Sequence, residues 1–187
     1  MFGLCAILVS LAACGTESSA EDRVARAKVF MASEDYKSAT IELKNALQRD
    51  NESAEARYLL GKVYLEQGEM PSAEKELKRA LQLGWSGEDI QPDLARALLA
   101  QGEFEKVREI SSTGLTPPME AQLLATQALA ALAEGDSWDA EELIDKALIN
   151  YADQVWAINL TRSLPQLVLV RKVFRNVPRQ AFHGYQT

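Results

Sequence analysis

The sequence predicts an all-α chain folded as a stacked array of antiparallel helical hairpins, an α-solenoid. Three observations carry that prediction. Small and apolar residues recur at a fixed step of 34 residues through the middle of the 187-residue chain, and a period of that size marks an array of stacked supersecondary units. The composition is that of a helical protein: Ala, Leu, Glu, Lys, Gln and Arg dominate, while aromatic residues make up only 7%, leaving little from which to build strands. Glycines also recur at the same step, where a turn between two helices needs a residue free of Cβ constraints.

The chain opens on an apolar run, Leu4 to Ala13, too short to span a bilayer and suited to the h-region of an export signal. Leu11-Ala12-Ala13-Cys14-Gly15 follows at once. These residues resemble the bacterial lipobox, although no Lys or Arg precedes the run, a departure from the usual signal. The resemblance implies a signal peptide over 1–13 and a mature chain anchored to a membrane through lipid on the Cys14 thiol. Both cysteines, Cys5 and Cys14, lie in this leader, so no disulfide is expected within the folded part. Gly15 to Asp22 is polar and small and reads as a tether of at most about 28 Å.

Beyond the tether the strings SATIELKNALQRDNESAEARYLLGKVYLEQGE and SAEKELKRALQLGWSGEDIQPDLARALLAQGE align one period apart. Ala39 then falls over Ala73 and Ala46 over Ala80, Ala27 steps to Gly61 and Ala95, and Gly68 steps to Gly102. A fourth unit supplies Ala128, Gly135, Ala140 and Ala147. The expected units are 20–53, 54–87, 88–120 and 121–154. Units two and four read as regular, whereas the second helix of unit three reads as short, because it runs into Ser111-Ser112-Thr113-Gly114 and then Pro117-Pro118.

This pattern resembles the tetratricopeptide repeat, and the resemblance implies a right-handed superhelix in which small residues at three slots allow two helices to cross closely. Gly61, Ala73 and Ala80 occupy those slots in the best-matching unit, and Gly68 serves the turn. Arg26 departs from the pattern, standing where an aliphatic residue is usual. A finer likeness joins Cys14, the tether, Ala39 to Leu47, Ala54 to Gly61, Ala73 to Gly84 and Leu94 to Gly102. Together they resemble the PEP-CTERM system tetratricopeptide lipoproteins, which implies a scaffold of exopolysaccharide and surface-protein sorting in a Gram-negative envelope, periplasmic side, with the outer membrane favoured by Gly15. An accessory lipoprotein of outer-membrane protein or pilus assembly, and a truncated copy of a longer protein, are the alternatives.

For function, the array implies a concave groove lined by the first helix of each unit. Lys28, Lys62 and Arg96 follow the small slot at 34-residue steps, with Met31, Tyr58, Leu65 and Leu99 nearby, and together they are the candidate surface for an extended or acidic protein or peptide partner. The alternative is that these bases pair with Glu21, Glu55 and Glu66 on the same helices.

Catalytic chemistry is not legible. The single histidine, His183, lies near the end, no metal-ligand spacing and no phosphate loop are present, and the acid pairs Glu21-Asp22, Glu88-Asp89 and Glu141-Glu142 read as solvated faces. No enzyme activity, metal or cofactor is therefore expected. A net charge of −7 also argues against nucleic acid. The segment 155–187 is different in kind, since Arg162, Arg171, Lys172, Arg175 and Arg179 lie in it with no acid after Asp153. It reads as a basic helix or tail with a membrane-surface, capping or unstructured role. Nothing in the sequence specifies an oligomeric state.

Overall fold

The computed structural model describes residues 18–152. The leader, Cys14 and the basic segment 155–187 with His183 lie outside the described residues. Within them the chain is all helix: α1 (Ala20–Ala32), α2 (Tyr36–Arg49), α3 (Ala54–Gln67), α4 (Met70–Gln82), α5 (Ile90–Ala100), α6 (Phe104–Arg108), α7 (Pro117–Glu134) and α8 (Ser137–Ala152). Successive pairs form hairpins, and α2 packs on α3, α4 on α5, and α6 on α7, while α5 also lies against α7. Each hairpin thus covers the next; the main core runs through the first three hairpins to Leu123 and Ala130 of α7, and two smaller apolar clusters lie between α7 and α8.

Local sequence explains where the helices start and stop. The Ser19 hydroxyl accepts from the Asp22 backbone N–H at 3.1 Å, and the Asp22 carboxylate accepts from the Ser19 N–H at 3.0 Å. That reciprocal box satisfies two N-terminal donors. It also corrects the tether: Ala20, Glu21 and Asp22 belong to α1, so the link from Cys14 ends at Ser19. Asp35 and Ser53 cap α2 and α3 in one direction, their side chains accepting from the Ser38 and Ala56 N–H groups. Gly68, Gly102 and Gly135 end the first helices of hairpins two to four with φ of +78°, +76° and +87°, the left-handed conformation that closes a helix and turns the chain. In hairpin one the same step back from Gly68 lands on Glu34, which takes φ +59° and bears the strain that glycine avoids elsewhere.

The nine alanines named for packing, Ala27, Ala39, Ala46, Ala73, Ala80, Ala95, Ala128, Ala140 and Ala147, are all buried. Gly61 marks a close crossing: a Cβ there would lie 2.7 Å from Leu77 Cγ and 3.3 Å from the Leu77 backbone nitrogen. Arg26 also finds its reason. It stands where Leu60 and Leu94 are buried in later hairpins, yet no described hairpin precedes α1, and its guanidinium binds Glu42 at 3.1 Å and Ser18. Val29 is 68% exposed on the same helix, whereas its counterparts Val63 and Ala97 are fully buried by the preceding hairpin.

Hairpin three is the irregular one. Its second helix, α6, has five residues against 14 in α2 and 13 in α4. The backbone that follows is held from the neighbouring hairpin, because the buried Gln127 amide on α7 donates toward the carbonyls of Val107, Arg108 and Ile110 at 3.2, 3.3 and 2.9 Å.

Candidate functional site

The inner face of the stack brings together residues from α1, α3 and α5. Lys28 Nζ lies 2.6 Å from Glu55, Lys62 Nζ 2.8 Å from Asp89, and Arg96 Nη2 3.1 Å from Glu66. Each pair joins one hairpin to the next, which corrects the expectation that these bases pair within their own helices. Lys28–Glu55 and Lys62–Asp89 are also the same contact repeated, since Glu55 and Asp89 are themselves 34 residues apart. The positive ladder is therefore real in position but neutralised in place. An acidic partner would have to compete with Glu55, Glu66, Asp89 and Asp93 for the same three cations.

The apolar candidates divide. Tyr58 and Leu65 are buried and belong to the core, so neither presents a side chain to a partner. Met31 and Leu99 are half-buried and remain at the edge of the groove. With the half-exposed Lys28 and Arg96, they are what the groove offers.

Around Tyr58 the structure assembles a cluster that the sequence pattern did not single out. The Tyr58 ring stacks on Trp85 at 4.9 Å and lies beneath Lys62, whose ammonium is 5.4 Å from the ring centroid. The Tyr58 hydroxyl donates to Asp93 at 3.3 Å, and Lys62 reaches Asp93 at 3.8 Å. Asp89, expected on a solvated face, is instead a member of this group. Burial raises the Asp89 pKa, but hydrogen bonds from Lys62 and Tyr58, with the Lys62 charge, outweigh it and hold the carboxyl below its ordinary value. Asp93 behaves oppositely. Burial pushes it up to about 6, with Asp89 adding to the rise and Lys62, Arg96 and the Tyr58 hydroxyl opposing it. Burial likewise raises the Tyr58 phenol.

The sign of the Asp93 effect follows from linkage. Its folded pKa lies above the model-peptide value of 3.8, so between those values the folded chain binds a proton that the unfolded chain releases. The group then weakens the fold as pH rises from about 4 to above 6. Asp93→Asn is expected to be more stable than wild type at pH 7.5 by about 1–3 kcal/mol, with the difference closing near pH 4. Urea denaturation of both chains across that range checks it; a variant less stable at pH 7.5 would show that Asp93 contributes more through its charge than burial costs.

A second pair of contacts braces the first two hairpins internally. Arg23 and Arg26 meet Glu42 across α1 and α2 at 3.3 and 3.1 Å, and Arg57 meets the buried Glu76 across α3 and α4 at 2.7 Å. Arg23 to Arg57 and Glu42 to Glu76 are again 34-residue steps, so applying the period to charges as well as to apolar residues would have found them.

Among the described residues no group of three or more His, Cys, Asp or Glu is placed to hold a metal. No helix among them is long and apolar enough to cross a membrane.

Residues 30–84 match the family profile described as tetratricopeptide repeat. Among solved structures the chain is similar to MamA at 25% identity and a TM-score of 0.66, over 72% of this chain and 79% of that one. It also aligns with YrrB, described as a TPR protein with an unusual peptide-binding site, at 16% identity and a TM-score of 0.45, over 77% and 92%. No curated protein matches. The described chain is an all-α solenoid of helical hairpins, with tetratricopeptide-repeat sequence over residues 30–84.

Proposed function

We propose that this protein is a non-catalytic scaffold that holds a protein or peptide partner in the groove along α1, α3 and α5. The observation that carries the reading is the alignment of Lys28, Lys62 and Arg96 on successive inner helices, each already set by a cross-hairpin ion pair. Pairing fixes the side chains in one geometry, so a partner meets an ordered row of alternating charge rather than mobile lysines. Photo-reactive residues at positions 28 and 96 should crosslink one partner in its native envelope; no crosslink from either would count against the groove.

The finer reading places the scaffold on a membrane by lipid at Cys14, at the periplasmic face of the outer membrane, in exopolysaccharide and PEP-CTERM protein sorting. It is supported by the lipobox resemblance and by the short link to α1. Five residues, Gly15 to Ser19, separate Cys14 from the first helix, a reach of about 18 Å at roughly 3.5 Å per residue. The first hairpin would then sit beside the headgroups. Metabolic labelling with a palmitate analogue should mark the wild-type chain and leave Cys14→Ala unlabelled; equal label in both refutes the anchor.

A further inference from the structure

We infer that the exposed face of α8 is a second docking surface, separate from the groove, for a basic, arginine-bearing segment of a partner protein. The helix packs principally on α7, and its other side carries Trp138 at 79% exposure. Glu141, Glu142 and Asp145 follow at three, four and seven residues, so all four share one face, and all three carboxylate residues are exposed.

The earlier outer helices make the departure plain. Stepping back through the repeat, the same face of α2 carries Lys37, Thr40, Ile41 and Lys44, and that of α4 carries Pro71, Glu74, Lys75 and Lys78. Two lysines stand on each of those faces, and none of these four positions on α8 is basic. Glu142 is bound by Lys146 at 2.6 Å, but among the described residues Glu141 and Asp145 have no cationic partner. The imbalance extends to the whole unit: residues 54–87 hold five bases and five acids, whereas residues 121–154 hold one base and seven acids.

That chemistry selects the occupant. A flat indole in water beside uncompensated carboxylates suits a guanidinium, which stacks on the ring while its fork of donors reaches the acids one turn along. Lysine satisfies only the charge. An exposed tryptophan is also the residue type most able to concentrate binding energy in a small contact.

The test uses the full chain with fluorescent octa-arginine and octa-lysine peptides, read by anisotropy at low salt. Octa-arginine is expected to bind about fivefold more tightly than octa-lysine. Trp138→Ala should remove that preference, and the pair Glu141→Gln with Asp145→Asn should weaken both peptides. The pair Glu52→Gln with Glu69→Gln, exposed acids on other hairpins, should change neither. The inference is overturned if the control pair weakens binding as much, or if the preference survives without Trp138. It is overturned as well if hydrogen exchange of the free chain shows residues 154–187 protected in wild type and released by Trp138→Ala, because the chain's own basic end would then occupy the face.

Discussion

Replacing Gly61 with alanine is expected to destabilise the fold by about 1–2 kcal/mol, although alanine is the better helix former by roughly 1 kcal/mol. The added methyl would sit 2.7 Å from Leu77 Cγ and 2.8 Å from its Cδ2. Leu77 is fully buried and its backbone nitrogen would also lie 3.3 Å from the new methyl, so both the leucine and the α3–α4 crossing must shift to admit it. Valine at position 61 should cost more, about 3 kcal/mol, since it adds two further carbons to the same crossing. The cause can be isolated with Leu77→Ala. Alone, that change removes a core leucine at a cost of about 2–5 kcal/mol; combined with Gly61→Ala it leaves room for the new methyl, and the double variant should be less destabilised than the sum by about 1 kcal/mol or more. Urea denaturation of the four chains measures this coupling. Additive effects would mean that the helices do not cross at Gly61 as described.

Gln127→Leu is expected to cost about 2–3 kcal/mol. The two side chains are similar in size, so the change tests polarity more than packing. In wild type the two N–H donors of one amide are shared among the carbonyls of Val107, Arg108 and Ile110, where α6 has stopped and, of its last carbonyls, that of Val107 also accepts the Ile110 N–H. Leucine would take the donor from the part-buried Arg108 and Ile110 carbonyls, while the Val107 carbonyl keeps the Ile110 N–H, and the loss of these bonds with part of the desolvation penalty sets the cost. Gln127→Glu should be worse at neutral pH, because a carboxylate offers only acceptors to a site made of acceptors. Hydrogen exchange should show the loss concentrated in residues 104–116. A leucine variant of wild-type stability would mean that water satisfies those carbonyls and that Gln127 is incidental.

These two sites also show what the sequence revealed and what it withheld. The fold was legible because the constraint on Gly61, Ala73 and Ala80 is local to one hairpin and repeats in the next. The short second helix of unit three was legible for the same reason: Ser111 to Gly114 and Pro117-Pro118 disfavour helix where they stand. Gln127 was not legible as a clasp, since its role exists only because a different hairpin ends early. Tyr58 and Leu65 looked like groove residues by position, but exposure on an inner helix depends on how far the following hairpin overlaps it. Asp89 and Asp93 carry no mark of burial in the sequence, because carboxylates are seldom buried unless paired and their partner Lys62 lies 27 and 31 residues away, outside any helical spacing. Like Lys28, Lys62 and Arg96, the bracing pairs Arg23 to Arg57 and Glu42 to Glu76 follow the 34-residue period, so their signal stands in the sequence.

The cluster at Tyr58, Lys62, Trp85, Asp89 and Asp93 has a consequence for the groove. It fastens the second hairpin to the third through the Lys62–Asp89 ion pair and the Tyr58–Asp93 hydrogen bond, and removing Asp89 would leave the Lys62 charge without its nearest compensation. The middle of the inner surface is therefore the stiffest part of it. Recognition is better placed at Lys28 with Met31 and at Arg96 with Leu99, on either side of that fastening, where side chains are accessible and the ion pairs are surface pairs of small individual strength.

The central claim is that the inner helices form a single surface that holds a partner. It is tested most directly by placing one photo-reactive amino acid at a time at positions 28, 62 and 96 on the inner helices, and at 37, 71 and 105 on the outer ones, in cells of the native host. The account predicts crosslinks to the same protein from positions 28 and 96, a weaker one from 62, and none to that protein from the three outer positions. Crosslinks to that protein from the outer positions alone, or to it equally from all six, would contradict it.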